Sequence, residues 1–566
     1  MREVDEDFKD VKNGYGFIVK IVFIIILLIA AAVGCFSFFK DKNKKNDGQS
    51  LKDNYFQAIN YDLIKDAVIP NYSNSWSYLL NASERMVTKK ALILNLILND
   101  SNYENEEVEI LLDFFEDYEE RNKVGLNEFK TYFEKIDKVK TMEEFNKVLL
   151  DIEYDLNFNP FIVYDVIKDV SDNTKNILAF EQAKMETSYE IYALDKYKAY
   201  SDYYHNFRNK ILKLYGYDDK KIQEVSKSID DFVLKIQAKT KVLTDISDKT
   251  SLYQYYTIDD IKKDFHNLPI LDFLTRFEID DLDRYIFFDY EHYKYLDQNY
   301  TIENLSIFKE MLKLNILEEL VPIITTEDYL KVEAELLNDV QGTNLSTEDF
   351  KNYIESELKS ALVSDELNKR YENVNFTDDN KKEIKDMIDD IKSYYKSMIE
   401  KSWLEEETKK EAIKKLDSMK TIIGYQNTEE STYKLVSRKN GGTLLSNVVL
   451  MDHIDIEEKF AKLRKEATLQ DFDNLEFNAY YSPKDNAIIF PAAFYEVVNG
   501  EKDYYKLLGY IGSVIGHEIS HAFDDTGSRF DEVGQVRDWW SKNDREKYDE
   551  LTKKIIEYYN GYSVQG

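Results

Sequence analysis

The chain has 566 residues and a net charge of −33 at neutral pH, with 108 acidic side chains against 75 basic ones. So large an excess of negative charge argues against a protein that holds the nucleic-acid backbone, because phosphate binding requires clustered lysine and arginine. The single cysteine excludes an intrachain disulfide. The 18 glycines and six prolines are few for this length, which predicts a mainly α-helical protein.

The N-terminal segment predicts a membrane anchor. Residues 1–20 form a short polar tail of mixed charge, and residues 21–39 form a run of 19 residues without a charged side chain. At a helical rise of 1.5 Å per residue the run spans about 28 Å, close to the hydrocarbon thickness of a bilayer. Residues 40–52 follow as a polar linker. We therefore predict an N-terminal transmembrane helix at 21–39, which makes the protein single-pass in the cell membrane.

The same segment admits a second interpretation. Residues 32–35, Ala-Val-Gly-Cys, resemble a bacterial lipoprotein cleavage site, at which Cys35 would carry a lipid anchor. The apolar run is long for a signal peptide, whose core usually has about 7–15 residues. Basic residues are equally numerous on both sides of the run, so charge does not determine its orientation. Both interpretations tether the protein to a membrane, and the remaining alternative is a buried helix of a soluble protein.

Residues 53–425 predict one helix after another. A clear one begins near Asp379, where apolar residues recur at helical spacing as far as Met398. The next predicted helix, residues 405–420, places several apolar residues on one face. Residues 426–477 are assigned as a connecting region between this helical part and the segment at 478–566.

Residues 478–493 differ from the helical part. The sequence NAYYSPKDNAIIFPAA predicts two short strands joined by a turn at residues 482–486. Pro491 cannot donate a backbone hydrogen bond, so it belongs at the end or the edge of a strand. An edge strand can pair with an extended peptide, as in many proteases. A plain structural hairpin is the simpler interpretation of the pattern alone.

The strongest chemical signal is residues 514–525, VIGHEISHAFDD. His517 and His521 are four residues apart, so they lie on the same face of a helix. Two imidazoles in this arrangement can bind one zinc ion, and Glu518 can accept a proton from the attacking water. The alternative is a buried helix with two hydrogen-bonded histidines. Apolar residues before the motif continue the helical spacing, and Gly527 is the predicted end of the helix.

The other four histidines lack the spacing of metal ligands, and we expect surface or packed side chains. They are His205, His266, His292 and His453. The metzincin class of zinc peptidases is excluded, because it requires glycine at position 524 and histidine at 527, where this chain has Asp524 and Gly527.

Several stretches of the chain closely resemble the neprilysin and endothelin-converting-enzyme family of zinc metallopeptidases. Residues 514–540 and 478–493 carry the resemblance most specifically, residues 403–425 at moderate strength and residues 53–77 more weakly. The resemblance covers the chain from about residue 53 to its last residue. Animal members of the family are disulfide-rich, so this chain looks like a bacterial relative.

The resemblance implies a fold and a function. It implies two mainly helical lobes around a central cavity that admits oligopeptides, with a β hairpin and its edge strand beside the zinc helix. It implies that His517 and His521 bind zinc, that Glu518 is the general base, and that Asn478 and Ala479 bind the substrate backbone. It also implies that the large C-terminal part, residues 478–566 included, lies outside the cell.

The resemblance also implies a third zinc ligand, the glutamate of a Glu-Asn-x-Ala-Asp motif well downstream of the second histidine. The sequence ends at Gly566, 45 residues after His521, and contains no such motif. We therefore expect residues 1–566 to hold an incomplete zinc site, which a separate C-terminal complement could complete. The alternatives to a peptidase are a catalytically inactive surface protein that binds peptides and a gene fragment with the same fold.

Overall fold

A computed structural model describes residues 73–100, 105–183, 197–241, 249–321, 327–426, 433–469 and 472–561, with a few single positions between residues 60 and 103. The predicted tail, apolar run and linker at 1–52 lie outside these residues. Within the described ranges, no helix has both the length and the apolar composition to cross a membrane.

Helices dominate the described chain, as predicted. Up to residue 362 they are α1 (Tyr78–Leu98), α2 (Glu106–Phe115), α3 (Tyr118–Val124), α4 (Lys130–Lys138), α5 (Met142–Leu156), α6 (Lys198–Tyr215), α7 (Asp219–Gln237), α8 (Ile258–Asp264), α9 (Ile270–Arg276), α10 (Tyr290–Asn299), α11 (Leu305–Glu319), α12 (Glu327–Gln341) and α13 (Thr347–Leu362). The later ones are α14 (Ser364–Asn375), α15 (Asp378–Glu400), α16 (Glu406–Ser418), α17 (Leu444–Ala461), α18 (Tyr504–Leu507), α19 (Ser513–Ser520) and α20 (Lys542–Asn560).

Local sequence signals set many of these helix ends. Thr141 and Glu144 form a capping box that starts α5, and the helix stops where Asn157 adopts the left-handed conformation. A similar box at Thr377 and Asn380 starts α15. Helices α15 and α16 therefore lie within two residues of the predicted starts at 379 and 405.

A four-stranded sheet interrupts the region predicted as helix after helix, which corrects that expectation. Its strands are β1 (Tyr164–Lys168), β2 (Asn176–Phe180), β3 (Gln254–Tyr256) and β4 (Tyr285–Phe287), in the order β1-β2-β4-β3. Both faces of its central strands are covered, because Leu178 and Phe180 join the large core while Ile177 and Ala179 join a separate cluster. Strands buried on both faces show no alternation of apolar and polar residues, so their pattern resembles that of a helix.

A second sheet contains the predicted hairpin. Strands β6 (Tyr480–Ser482) and β7 (Ala487–Phe490) are antiparallel, and β5 (Lys420–Ile423) pairs in parallel with β7 on its other side. The order is β5-β7-β6, so within the described chain β6 is an edge strand. The hairpin is confirmed, whereas its pairing with β5 was not predicted.

Two large hydrophobic cores organise the described residues. The first core takes its buried residues from 110–358 and from α17, residues 444–460. The second core takes them from 82–108, 363–419 and 475–539. The chain therefore passes from one core to the other within α2, between α13 and α14, and on both sides of α17. The HExxH motif lies in the second core.

Candidate metal centre

The histidine motif lies on α19 and the turn that follows it. A π-helical turn, Leu508–Gly512, precedes α19, and a 3₁₀ turn, His521–Phe523, extends it. The helix ends earlier than the predicted Gly527, because Asp524 adopts an extended conformation with ψ −171°. Ile515 and Ile519 are fully buried in the second core, which turns the opposite face of the helix outward.

The two imidazoles converge on one point. The distance from His517 Nε2 to His521 Nε2 is 3.0 Å, and the two ring planes stand 83° apart. Glu518 is 5% exposed, and one of its carboxylate oxygens lies with the two imidazoles in a group whose candidate ligand atoms are all within 4.8 Å of one another. Among the described residues, no further histidine, cysteine, aspartate or glutamate belongs to this group.

Asp524 determines the orientation of the second imidazole. Its Oδ2 lies 2.6 Å from His521 Nδ1, and its Oδ1 accepts hydrogen bonds from the backbone N–H groups of Thr526 and Gly527 at 3.0 and 2.7 Å. A carboxylate at Nδ1 places the proton there and leaves the lone pair of Nε2 for a metal. Two converging imidazole nitrogens, one oriented by a carboxylate, fit a zinc ion.

The predicted substrate-binding residues lie directly before the edge strand. Asn478 is half-buried and Ala479 is buried in the second core, and both immediately precede β6. Strand β6 packs beside α19. The fold therefore brings the start of the edge strand and the two histidines to neighbouring elements.

Family models described as Peptidase family M13 match residues 51–426 and 478–566. The chain belongs to peptidase family M13. It is 24% identical over 532 residues to the neutral endopeptidase of Lactococcus lactis subsp. cremoris. The aligned residues cover 91% of this chain and 83% of that protein. Over 195 residues, 32% of this chain and 26% of the other, it is 36% identical to Neprilysin-1 of Caenorhabditis elegans. The predicted relation to neprilysin and to zinc metalloendopeptidases is confirmed.

A solved structure shares the fold of this M13 chain. The zinc metalloprotease Zmp1 of Mycobacterium tuberculosis, in complex with an inhibitor, superimposes with a TM-score of 0.80 at 20% identity. The match covers 93% of this chain and 80% of that protein. The family assignment makes zinc the expected metal for the two converging imidazoles.

The other histidines of the M13 chain have partners outside the centre. His292 is buried and contacts Thr240 Oγ1 at 2.7 Å, His205 Nε2 lies 3.2 Å from Asp230, and His453 Nε2 lies 3.3 Å from Asp155. His266 is exposed. Each contact is that of a packed or surface histidine.

Sequence reasoning missed two residues near the centre. Asp524 was not assigned an orienting role, although an aspartate three residues after a zinc histidine on a helical turn is a signal for an orienting carboxylate. Lys415 on α16 reaches the turn after α19, with Nζ 2.6 Å from the carbonyl oxygen of Gly527. No local pattern connects Lys415 with the motif, because the contact depends on the packing of two distant elements.

Proposed function

We propose that the protein is a membrane-tethered zinc metalloendopeptidase that hydrolyses oligopeptides. The observation that carries the proposal is the 3.0 Å convergence of His517 Nε2 and His521 Nε2, with Glu518 between them on the same helix. A zinc ion bound there supplies a Lewis acid that polarises the scissile carbonyl and makes water more acidic.

Glu518 is the proposed general base. Its side chain is almost fully buried on the turn between the two histidines, so it has little freedom to move away from the reacting atoms. It accepts a proton from the attacking water and delivers it to the leaving amine nitrogen. Replacement by glutamine keeps the size of the side chain and removes the proton acceptor.

Strand β6 and the residues before it are the proposed site for the substrate backbone. Strand β6 is an outer strand of the described sheet, and an extended peptide can add beside such a strand. Among the described residues no hydrogen-bond partner of the Asn478 side chain is found, which leaves its amide for the substrate. Access between the two lobes limits the substrates to oligopeptides, as the resemblance implies.

A third protein ligand is part of the proposal. A catalytic zinc site generally has three protein ligands and one open position. We propose that the third, a carboxylate, comes from polypeptide outside the described residues, either in the same chain or as a separate C-terminal complement. The exposed apolar side chains of α20, among them Ile555 and Ile556, support a neighbour for that helix, since a solvated helix rarely exposes such a face.

The test is an oligopeptide cleavage assay on residues 1–566 and on the chain supplied with a family C-terminal segment that carries the third ligand. We expect no measurable cleavage by residues 1–566 alone, and cleavage by the completed protein that zinc chelators abolish. Glu518→Gln should abolish that cleavage, whereas Glu546→Gln, a change at an exposed glutamate of α20, should not. Cleavage by residues 1–566 that Glu518→Gln abolishes would refute the need for a third ligand. A completed protein that binds zinc and peptide without cleaving would favour the peptide-binding alternative.

The membrane tether has a separate test. The full chain should fractionate with membranes, and deletion of residues 1–45 should release it, because the uncharged run at 21–39 is then absent. Cys35→Ala separates the two kinds of anchor, since it prevents lipidation and leaves an apolar span intact. Recovery of the full-length, unlipidated chain in the soluble fraction would contradict both.

A further inference from the structure

Lys415 is a buried lysine at the junction of α16 and the turn after the histidine motif. Its side chain is 1% exposed, and Nζ donates to the carbonyl oxygens of Gly527 at 2.6 Å and Phe530 at 2.7 Å. Burial of an amine is unfavourable unless hydrogen bonds compensate it, so these two acceptors stabilise the position. Burial also lowers the pKa of Lys415 to about 7, against the opposing effect of nearby carboxylates that include Asp524.

A continuous path of hydrogen bonds leads from Lys415 to the second imidazole. The N–H of Gly527 donates to Asp524 Oδ1 at 2.7 Å, and Oδ2 of the same carboxylate lies 2.6 Å from His521 Nδ1. Gly527 also packs directly on the end of the helix, where a Cβ would lie 1.8 Å from the carbonyl oxygen of His521. Lys415 therefore donates a hydrogen bond to a residue that both contacts the His521 backbone and binds the carboxylate that orients His521.

The backbone of Lys415 accepts a hydrogen bond from the turn of the β6–β7 hairpin. Its carbonyl oxygen accepts from Asn486 Nδ2 at 2.9 Å, and the same amide donates to the carbonyl oxygen of Glu532 at 3.0 Å. Asn486 lies in the turn between β6 and β7. The lysine thus joins the turn after the zinc helix to the hairpin whose edge strand is proposed to bind the peptide.

We propose that Lys415 is a positioning residue that fixes, through Gly527 and Asp524, the direction in which His521 presents Nε2 to zinc. The identity of the metal rests on the proposed function, whereas the hydrogen-bond path does not. If Lys415 only stabilised the fold, its substitution would destabilise the whole second core equally. If it is a positioning residue, its substitution disturbs the metal site and the turn after α19 first.

The first test measures zinc affinity by chelator competition on the chain supplied with the C-terminal segment and carrying Lys415→Met, which keeps the apolar stem and removes the donors. We expect zinc binding to weaken by about 10–100-fold, the usual effect of losing a group that orients a zinc ligand. Lys410→Met, at an exposed lysine of the same helix, is the matched control and should bind as the wild type does. The double variant with Asp524→Ala should bind about as weakly as Asp524→Ala alone, because both changes interrupt one path.

The second test is amide hydrogen exchange without metal. In Lys415→Met, exchange should accelerate in residues 522–531 while α5, in the other core, stays unchanged. Should Lys415→Met fail to fold, Lys415→Gln, which can donate to one of the two carbonyls, takes its place with a smaller expected loss. Zinc affinity within about twofold of wild type, or effects that add to those of Asp524→Ala, would overturn the proposal. If the wild type supplied with the C-terminal segment binds no zinc, the proposed function fails, and the exchange of residues 522–531 still decides whether Lys415 orders the turn.

Discussion

The two imidazoles of the metal centre differ in their surroundings. His521 is half-buried and has the Asp524 carboxylate at Nδ1, whereas His517 is exposed. An oriented ligand loses less conformational entropy when it binds a metal than a mobile one does. The protein therefore orients His521 before a metal binds, whereas the orientation of His517 depends on the metal and on further ligands.

Zinc affinity is the direct measure of this arrangement. Two histidines without a third protein ligand give an open, weak site, so we expect residues 1–566 to bind zinc far more weakly than a complete family member. His517→Ala and His521→Ala should each weaken binding further, as isothermal titration calorimetry would show. His266→Ala, at an exposed histidine elsewhere, is the control. Tight stoichiometric zinc in the wild type would contradict the prediction and indicate a substitute ligand such as Asp524 or Asp525.

A buried glutamate far from the centre makes stability depend on pH. Glu153 on α5 is 1% exposed, its Oε2 accepts from Asn159 Nδ2 at 2.7 Å, and burial raises its pKa to about 8. The folded protein therefore keeps a proton that the unfolded chain releases above its ordinary pKa of 4.5. The associated stability is fully present below pH 4.5 and is lost as the pH rises to about 8.

Glu153→Gln should remove this dependence, because glutamine is neutral at every pH. Relative to wild type, we expect the variant to gain stability from pH 5 to pH 8, on the order of 3 kcal/mol across the range. Urea unfolding at several pH values measures the difference. Glu143→Gln, near the exposed start of the same helix, should show no comparable trend. A constant difference between Glu153→Gln and wild type would show that Glu153 is ionised in the folded protein.

At the scale of elements, two turns pack against each other beside the metal centre. One joins β6 to β7, and the other, residues 531–536, follows the histidine motif and returns to pair Val536 with Phe530. They meet at Gly534, where φ is +88° and an added Cβ would lie 2.1 Å from the carbonyl oxygen of Lys484. The glycine is thus required both by the left-handed conformation and by the close approach of two backbones.

Gly534→Ala should destabilise the protein by more than the conformational cost of a left-handed alanine, which is about 1–2 kcal/mol. Gly441→Ala is the matched control, since Gly441 has φ +89° and open space around its Cβ position. Chemical unfolding measures the loss of stability in each variant. The amount by which the loss in Gly534→Ala exceeds the loss in Gly441→Ala is the cost of disturbing the backbone contact with Lys484. Equal losses would mean that the two turns separate at no cost.

At the scale of the molecule, a buried ion pair joins the first sheet to the hairpin of the second sheet. Lys168 on β1 pairs with Asp485 in the turn between β6 and β7, and Asp485 is almost completely buried. Nearby, the N–H of Val536 donates to the carbonyl oxygen of Val170 at 2.8 Å. The end of the first sheet therefore contacts both turns beside the metal centre.

Lys168→Met should leave Asp485 buried without its cation, a change that typically costs about 3–5 kcal/mol. We expect the cost to be relieved by separation of the two sheets at this edge, visible as a larger radius of gyration in small-angle X-ray scattering. Lys175→Met, at an exposed lysine between β1 and β2 whose partner Asp172 is local, should leave the scattering unchanged. An unchanged radius of gyration in Lys168→Met would show that other contacts hold the two sheets together.

The sequence by itself determined the helices with strong periodicity and the placement of two histidines on one helix face. Helices α15 and α16 and the two histidines follow from spacing alone, since residues three or four apart share a helix face whatever the rest of the chain does. The hairpin at 478–493 follows from two apolar runs around a turn. These features depend on neighbours in the chain, so they can be recognised without knowing the fold.

Only the tertiary structure decided which distant groups serve the centre. The sheet β1–β4, the pairing of β5 with β7, and the contacts of Lys415 and Lys168 join residues far apart in sequence. Burial on both faces removes the alternation of apolar and polar residues by which a strand is recognised. A buried lysine differs from an exposed one only in its surroundings, so its role is not visible in the sequence. Such contacts arise from the packing of whole elements, and the local spacing of residue types does not predict that packing.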